Sequence, residues 1–423
     1  MHIEPSAATD WLRAAATAAR AASNWLAGSP AGPRDRALRH AARAIRDHAP
    51  AIADANARDL ARFDAAGGTA AFRDRLALTP ARIEAMAAGL ETLADLPDPL
   101  DRTLADWTRP NGLRIRRVAM PIGVLGMIYE SRPNVGADAA GLALKSGNAV
   151  ILRGGSDSRD SAAAIGAALG DGLRAADVPE AAVQVAPGGD RAFVAAMLAG
   201  AGLIDLLIPR GGASLVRRVQ AEARVPVLAH AEGLCHTYVH AAADPAMAVA
   251  VLRNAKLRRP GVCGATETLL IDAAIAGALL PVLVADLAAG GCRFRADARA
   301  RAILSDLPAA SDADFSTEWL DTVLSVAVVD GVDGALAHIS RHGSEHTEAI
   351  ITEDAAAAEA FLRRSSSAVT LWNASTQFCD GAEFGFGAEI GIATGRLHAR
   401  GPVGLEQLTT FRYVVSGTGQ VRP

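Results

Sequence analysis

The chain has 423 residues, half of them hydrophobic but only 4% aromatic, with 21% charged residues and a formal net charge of −4. That length exceeds one ordinary core, so two large domains are expected, and an interior of Ala, Val, Leu and Ile points to α/β layers. The near-neutral balance, without a basic aromatic patch, excludes a nucleic-acid module; no apolar stretch reaches transmembrane length, and Met1-His2-Ile3-Glu4-Pro5 lacks a signal-peptide pattern.

Residues 7 to about 96 read as helices, with Ala, Leu and Ile at helical spacing among Arg, Asp and Glu. A polar, Pro-punctuated stretch (98–111) follows. Then 113–118 alternates apolar and basic like a half-exposed strand, as expected of a hairpin or subunit contact. Next come strands at 122–129, 149–152, 183–186, 203–208 and 225–228. Helices at 135–144, 161–176 and 191–198 lie between them, and glycine turns close three of the strands. This rhythm predicts a doubly wound parallel sheet, which binds ligands at the carboxyl ends of its strands.

A second α/β unit is expected from the loop at 230–236 onward. It holds a helix at 273–289, a strand at 325–329, a helix at 334–342 and a strand at 368–372. A glycine-rich loop through Gly404 and a strand at 411–415 end the chain.

The four cysteines, Cys235, Cys263, Cys292 and Cys379, lie far apart without CxxC or Cys/His ligand spacing. That argues against a metal site and fits reduced thiols in a cytoplasmic enzyme. Cys263 stands out in Arg258-Arg259-Pro260-Gly261-Val262-Cys263-Gly264-Ala265-Thr266. Pro and Gly stop regular structure there, small neighbours leave room for an electrophile, and guanidinium charge favours a thiolate. Cys235, beside His236 and just ahead of a strand at 237–239, reads as a packed residue near the active site. Cys292 and Cys379 carry no catalytic context, and Trp372 and Phe386 read as core or pocket wall.

Several stretches closely resemble the γ-glutamyl phosphate reductase family of the aldehyde dehydrogenase superfamily. They are the Cys263 loop, Tyr129-Glu130-Ser131-Arg132-Pro133-Asn134-Val135, Lys145-Ser146-Gly147-Asn148 running on to Arg153-Gly154-Gly155, and Ile208-Pro209-Arg210-Gly211-Gly212-Ala213. Ser367-Ala368-Val369 with Asn373-Ala374-Ser375-Thr376, and Leu397-His398-Ala399-Arg400-Gly401-Pro402, complete the set. The likeness runs from about residue 10 to the C-terminus.

The resemblance implies an aldehyde dehydrogenase-like fold: an NADPH-binding domain (1–100 and 121–230, with part of 371–407), a catalytic domain carrying Cys263 (231–370), and a small β oligomerisation element (101–120 and 408–423). It implies a homo-oligomer that reduces L-glutamyl 5-phosphate to L-glutamate 5-semialdehyde, releasing phosphate, in proline biosynthesis. In the implied mechanism Cys263 attacks the acyl phosphate, a thioester forms, and hydride from NADPH reduces it. Association with a separate glutamate 5-kinase stays open.

The developing oxyanion needs a backbone N–H beside the Cys and a side-chain donor. By position after the first central strand, Ser131 and Asn134 are the candidates, although Asn134 reads equally as a helix N-cap. NAD-preferring relatives carry a Glu where this chain has Ser156. Together with Arg153, Gly154 and Gly155, Ser156 therefore favours a cofactor bearing a 2′-phosphate. Pro209, Gly211 and Gly212 suit close backbone approach to a pyrophosphate. Arg132, Arg259 and Arg400 are candidate substrate anion clamps. Glu232 is the one nearby carboxylate that threatens a thioester with water attack. The competing readings are another semialdehyde or CoA-acylating dehydrogenase of the superfamily, and a non-catalytic paralogue.

Overall fold

The computed structural model describes residues 5–229 and 232–422, which fall into two compact units. One comprises the chain up to Ala229 with Gly385–Gly391 and the segment from Val403 onward. The other comprises the chain from there to Phe384 with Ile392–Pro402.

The first unit opens with five helices: Pro5–Gly28, Ala31–Asp47, Ala49–Ala65, Ala70–Leu76 and Pro80–Asp95. Ala8, Leu12, Ala15, Ala16 and Ala19 recur at helical spacing and pack into one core with Val124, Ile128 and Ile151. Strands β1 (Thr103–Thr108) and β2 (Arg114–Pro121) form an antiparallel sheet with the closing strand Thr409–Ser416. This sheet exposes Trp107, Phe411 and Tyr413, with Tyr413 in edge contact with both other rings.

Strands β3 (Val124–Tyr129), β4 (Ala149–Arg153), β5 (Val183–Val185) and β6 (Leu206–Arg210) form a parallel sheet in the order β5-β4-β3-β6. Helices Val135–Lys145, Arg159–Ala175 and Arg191–Leu198 connect these strands, and Ala213–Glu222 follows β6. All of β3 and β4 is buried, which is why both read as continuous apolar runs.

The Lys145-Ser146-Gly147-Asn148 motif ties this unit together. Lys145, itself buried, sets its Nζ 2.7 Å from Asp35. Gly147 has φ +77°, and a β-carbon there would stand 2.7 Å from Leu100. The Asn148 side chain accepts from the Gly123 N–H and donates to the Leu408 carbonyl, both at 2.8 Å. The motif thus acts through packing and satisfied buried polar groups.

The second unit has one six-stranded parallel sheet. It contains β7 (Cys235–Val239), β8 (Thr266–Asp272), β9 (Arg293–Ala296), β10 (Val323–Val329), β11 (Thr347–Ile351) and β12 (Val369–Trp372), in the order β12-β11-β7-β8-β10-β9. Helices Pro245–Leu257 and Ala273–Ala289 cover one face, over a core that includes Cys292. Helices Gly331–His342 and Ala355–Arg364 contribute to the other. A two-stranded ribbon, β13 (Ile392–Ala393) with β14 (Gly401–Pro402), completes the unit.

The structure corrects several readings. Residues 225–228 make only one isolated bridge, Val227 to Leu207, instead of a strand. β1 lies in the polar, Pro-punctuated stretch, and it, β9, β11, Ala213–Glu222 and Pro245–Leu257 were not expected. Cys235 begins β7 and does not merely precede it. Trp372 is 44% exposed, on the edge strand, so it is not core.

Candidate active site

Cys263 sits in the loop between helix Pro245–Leu257 and β8 and is half-buried. One buried ion pair closes the base of that loop, with Lys256 Nζ 2.5 Å from Glu267 Oε2. The other Glu267 oxygen accepts from the Leu320 N–H at 3.1 Å. Burial pushes Glu267 up to about 7, against the pull of Lys256. Gln377 secures the start of the loop. Its Nε2 donates to the carbonyls of Ala255 (3.1 Å) and Arg259 (3.2 Å), and Arg258 donates to its Oε1 at 3.3 Å.

The residues ahead of β7 pass directly against the thiol-bearing residue. A β-carbon on Gly233 would lie 2.3 Å from the Cys263 carbonyl oxygen and 2.8 Å from its Cα, so only glycine fits. Cys235, fully buried, places its Sγ 3.0 Å from that same carbonyl oxygen. Cys379 joins the small cluster of Val369 and Ile392 against which Cys263 and Leu371 pack. Cys379, read from the sequence as carrying no catalytic context, lines the back of the Cys263 loop.

A carboxylate from the segment ahead of β10 meets this loop. The Gly233 N–H donates to Glu318 Oε1 at 2.9 Å, and burial followed by nearby Glu232 pushes the Glu318 carboxyl up. Beside β7, the buried Glu348 of β11 accepts from both the N–H (3.1 Å) and the Nδ1 (2.9 Å) of His236. His236 therefore faces Glu348. The histidine beside Cys235 is His346, whose Nδ1 lies 3.4 Å from the sulfur.

In the first unit, the expected cofactor residues lie at the carboxyl ends of the parallel strands, as this architecture demands. After β3, Ser131 takes φ +51° and donates its hydroxyl to Asp157 Oδ2 at 2.6 Å. Asn134 has helical angles and makes no cap bond; its Nδ2 instead donates to Asp138 Oδ2 at 3.2 Å. Asn134 thus occupies the N-cap position of helix Val135–Lys145 without capping it through its side chain. Burial pushes Asp138 up to about 6.

After β4, Gly154 packs against the Tyr129 ring and Gly155 leads into a 3-10 turn, Ser156–Ser158, with Ser156 exposed. Arg153 is buried, and its Nη2 donates to the carbonyls of Gly189 (2.8 Å) and Asp190 (3.3 Å), so it braces the loop after β5. A β-carbon on Gly189 would meet Ser156 Cα at 2.4 Å, bringing two backbones into contact beside an open surface. After β6, whose last residues are Pro209 and Arg210, Gly211 and Gly212 are exposed. Gly212 caps helix Ala213–Glu222, and Glu130 accepts from its N–H at 3.3 Å. A carboxylate already at this helix N-terminus marks it as anion-compatible. The glycine cradle and exposed Ser156 fit a dinucleotide.

Of the candidate anion clamps, Arg132 and Arg259 are exposed. Arg400 donates to the carbonyls of Ser366 (2.8 Å) and Thr394 (3.2 Å) and pairs with Glu345 at 3.3 Å, alongside Arg396 at 2.6 Å. Sequence reasoning missed Gly233, Glu318 and Glu345. Only Gly233 carried a signal, as a glycine just ahead of a buried strand.

Residues 1–291 match the family model described as the aldehyde dehydrogenase family. The γ-glutamyl phosphate reductase of Acidiphilium cryptum is 69% identical over 412 residues, 97% of each chain. That of Gluconobacter oxydans is 69% identical over 404 residues, 96% of this chain and 94% of its own. The crystal structure of γ-glutamyl phosphate reductase from Thermotoga maritima superposes with a TM-score of 0.95 at 41% identity, covering 97% of this chain and all of that one.

Proposed function

The chain belongs to the aldehyde dehydrogenase family and, within it, to the γ-glutamyl phosphate reductases, and we propose that it reduces L-glutamyl 5-phosphate to L-glutamate 5-semialdehyde with release of phosphate. The observation that carries this reading is Cys263, half-buried in a loop whose backbone is pressed between Gly233 and the turn at Thr376. A nucleophile on so constrained a loop is presented without the entropy cost of searching for its orientation.

The Cys263 sulfur attacks the γ-acyl carbon, the carbon–phosphate oxygen bond breaks, and phosphate leaves with the electron pair. The acyl group stays on Cys263 as a thioester. Phosphate is a good leaving group, so this step asks for oxyanion donors more than for an acid. Asn134 is proposed as the side-chain donor: Asp138 engages one N–H of its amide, leaving the other for the substrate. The Ser131 hydroxyl already donates its hydrogen bond to Asp157, which makes Asn134 the better candidate. NADPH, when bound, would supply the hydride that takes the acyl group to the aldehyde and frees the Cys263 sulfur as thiolate.

The dinucleotide is proposed to lie over Gly154, Gly155, Ser156, Gly211 and Gly212, flanked by Pro209. Ser156 donates to the 2′-phosphate, and Arg153 sets the adjoining loop from behind. Its domain comprises 1–100 and 121–230 with part of 371–407; 231–370 is the catalytic domain. Arg132, Arg259 and Arg400 are proposed as anion contacts for the substrate, Arg400 in a charge-balanced group with Glu345.

Segments 101–120 and 408–423 are proposed to join copies of the chain. The exposed Trp107, Phe411 and Tyr413 support this, since exposed aromatics on one sheet mark a surface awaiting a partner. A cytoplasmic location and association with glutamate 5-kinase, motivated by the lability of acyl phosphates, complete the proposal.

The test is stoichiometry. With substrate generated in situ, each NADPH oxidised should yield one phosphate and one semialdehyde. NADPH oxidation without phosphate release, or a requirement for coenzyme A, would reject the reading.

A further inference from the structure

We propose that Cys235 is a positioning residue for Cys263: its thiol donates to the carbonyl oxygen of Cys263 and so fixes the peptide from which the attacking sulfur is launched. The inference rests on the reading of Cys263 as nucleophile.

Three observations carry it. The Cys235 Sγ lies 3.0 Å from the Cys263 carbonyl oxygen, short for a sulfur donor. Cys235 is fully buried, and burial raises its thiol well above the ordinary range, so the sulfur keeps its proton and remains a donor. On the other side, His346 Nδ1 stands 3.4 Å from the same sulfur and 2.9 Å from Thr347 Oγ1, at the start of β11. The thiol is thus held between the Cys263 loop and the residue that precedes β11, with the carbonyl oxygen the nearer of its two partners.

The consequence follows from peptide planarity. Anchoring the Cys263 carbonyl fixes the whole 263–264 plane. Gly264 continues that plane with its Cα against the turn at Thr376, where a β-carbon would stand 3.3 Å from the Thr376 carbonyl oxygen. Gly233 blocks the plane from tilting the other way, its missing β-carbon leaving contact with Cys263 Cα and O. With backbone motion removed on both sides, only rotation about the Cα–Cβ bond remains for the nucleophile. Such preorganisation speeds the chemical step more than it strengthens substrate binding.

The experiment compares Cys235→Ala, Cys235→Ser and Cys263→Ala with the parent enzyme in steady-state kinetics. The S–H stretching band of Cys235 is read by infrared difference between parent and Cys235→Ala. Losing one such hydrogen bond is expected to lower kcat about tenfold in Cys235→Ala while KM stays within about twofold. The serine hydroxyl, a donor of similar size, is expected to restore kcat to within about threefold. The S–H band should be shifted to lower frequency than that of a non-bonded thiol.

Parental kcat in Cys235→Ala, equal losses in the Ala and Ser variants, or an unshifted band would each overturn the proposal. Should Cys235→Ala fail to fold, the parent enzyme's thiol bands and the Ser variant still decide. Turnover persisting in Cys263→Ala would remove the premise instead, and is told apart because the band reports the Cys235 bond whatever the activity.

Discussion

Lys256 and Glu267 stand at opposite ends of the Cys263 loop and meet in a buried ion pair at 2.5 Å, so one contact closes the base from which the nucleophile projects. Removing one partner of such a pair strands the other charge in the interior. Lys256→Met is therefore expected to cost about 3–5 kcal/mol of stability, and Lys256→Met/Glu267→Leu considerably less. Urea denaturation of the two variants checks this; equal losses would mean that packing, not charge, holds the base.

Gly233 tests the loop from above. Alanine there would place its β-carbon 2.3 Å from the Cys263 carbonyl oxygen, which forces the loop to shift. Gly233→Ala is expected to lower kcat by about a hundredfold, since small displacements of a reacting group are that costly. The loss of stability should be only about 1–3 kcal/mol. Kinetics paired with thermal melting separates the two effects.

Ser156 tests cofactor choice. A carboxylate there would repel a 2′-phosphate and accept from ribose hydroxyls. Ser156→Glu is expected to shift the preference between NADPH and NADH by roughly tenfold or more toward NADH. Unchanged preference would place the 2′-phosphate elsewhere.

Acid stability should depend on the histidines under the second sheet. His338 packs against His342 (ring centroids 4.7 Å apart), Phe315 (5.0 Å) and His236 (5.7 Å). Burial first, then the neighbouring His236, His342 and Arg341, pull its folded pKa from 6.5 to about 3; burial lowers His342 too, with Asp312 opposing. A depressed folded pKa means that below about 6.5 the unfolded chain takes up a proton that the folded chain refuses. This stability is fully present above that pH and is lost toward pH 3, at up to ~1.4 kcal/mol per pH unit for each proton. His338→Leu should flatten the slope of urea midpoints between pH 7 and 5.

Much of this was legible in sequence because the elements are regular. The runs forming β3, β4 and β10 are almost wholly apolar, Arg153 and Ser325 excepted, since both faces of a parallel sheet are buried. Residues 225–228 misled because Pro226 lacks an N–H for a ladder, leaving one bridge. β11 was hidden because it carries Glu348, a residue that enters a core only when paired, here with His236. β1 escaped because five of its six residues are exposed and no alternation survives. The Cys263 nucleophile was readable from its loop. Its supports were less so: Cys235 was readable as a packed neighbour of the site, but the contacts that Gly233, Cys235 and Cys379 make with the loop arise only on folding, since all three are remote from it in the chain.

The most direct test of the account is the reduction of NADP⁺ by glutamate semialdehyde, with and without phosphate, in the parent enzyme and in Cys263→Ala. Activity should require phosphate, prefer NADP⁺ to NAD⁺ and vanish in the variant. Turnover without phosphate would contradict it and point to water attack on the thioester, with Glu232 the first residue to suspect; turnover in Cys263→Ala would contradict the nucleophile itself.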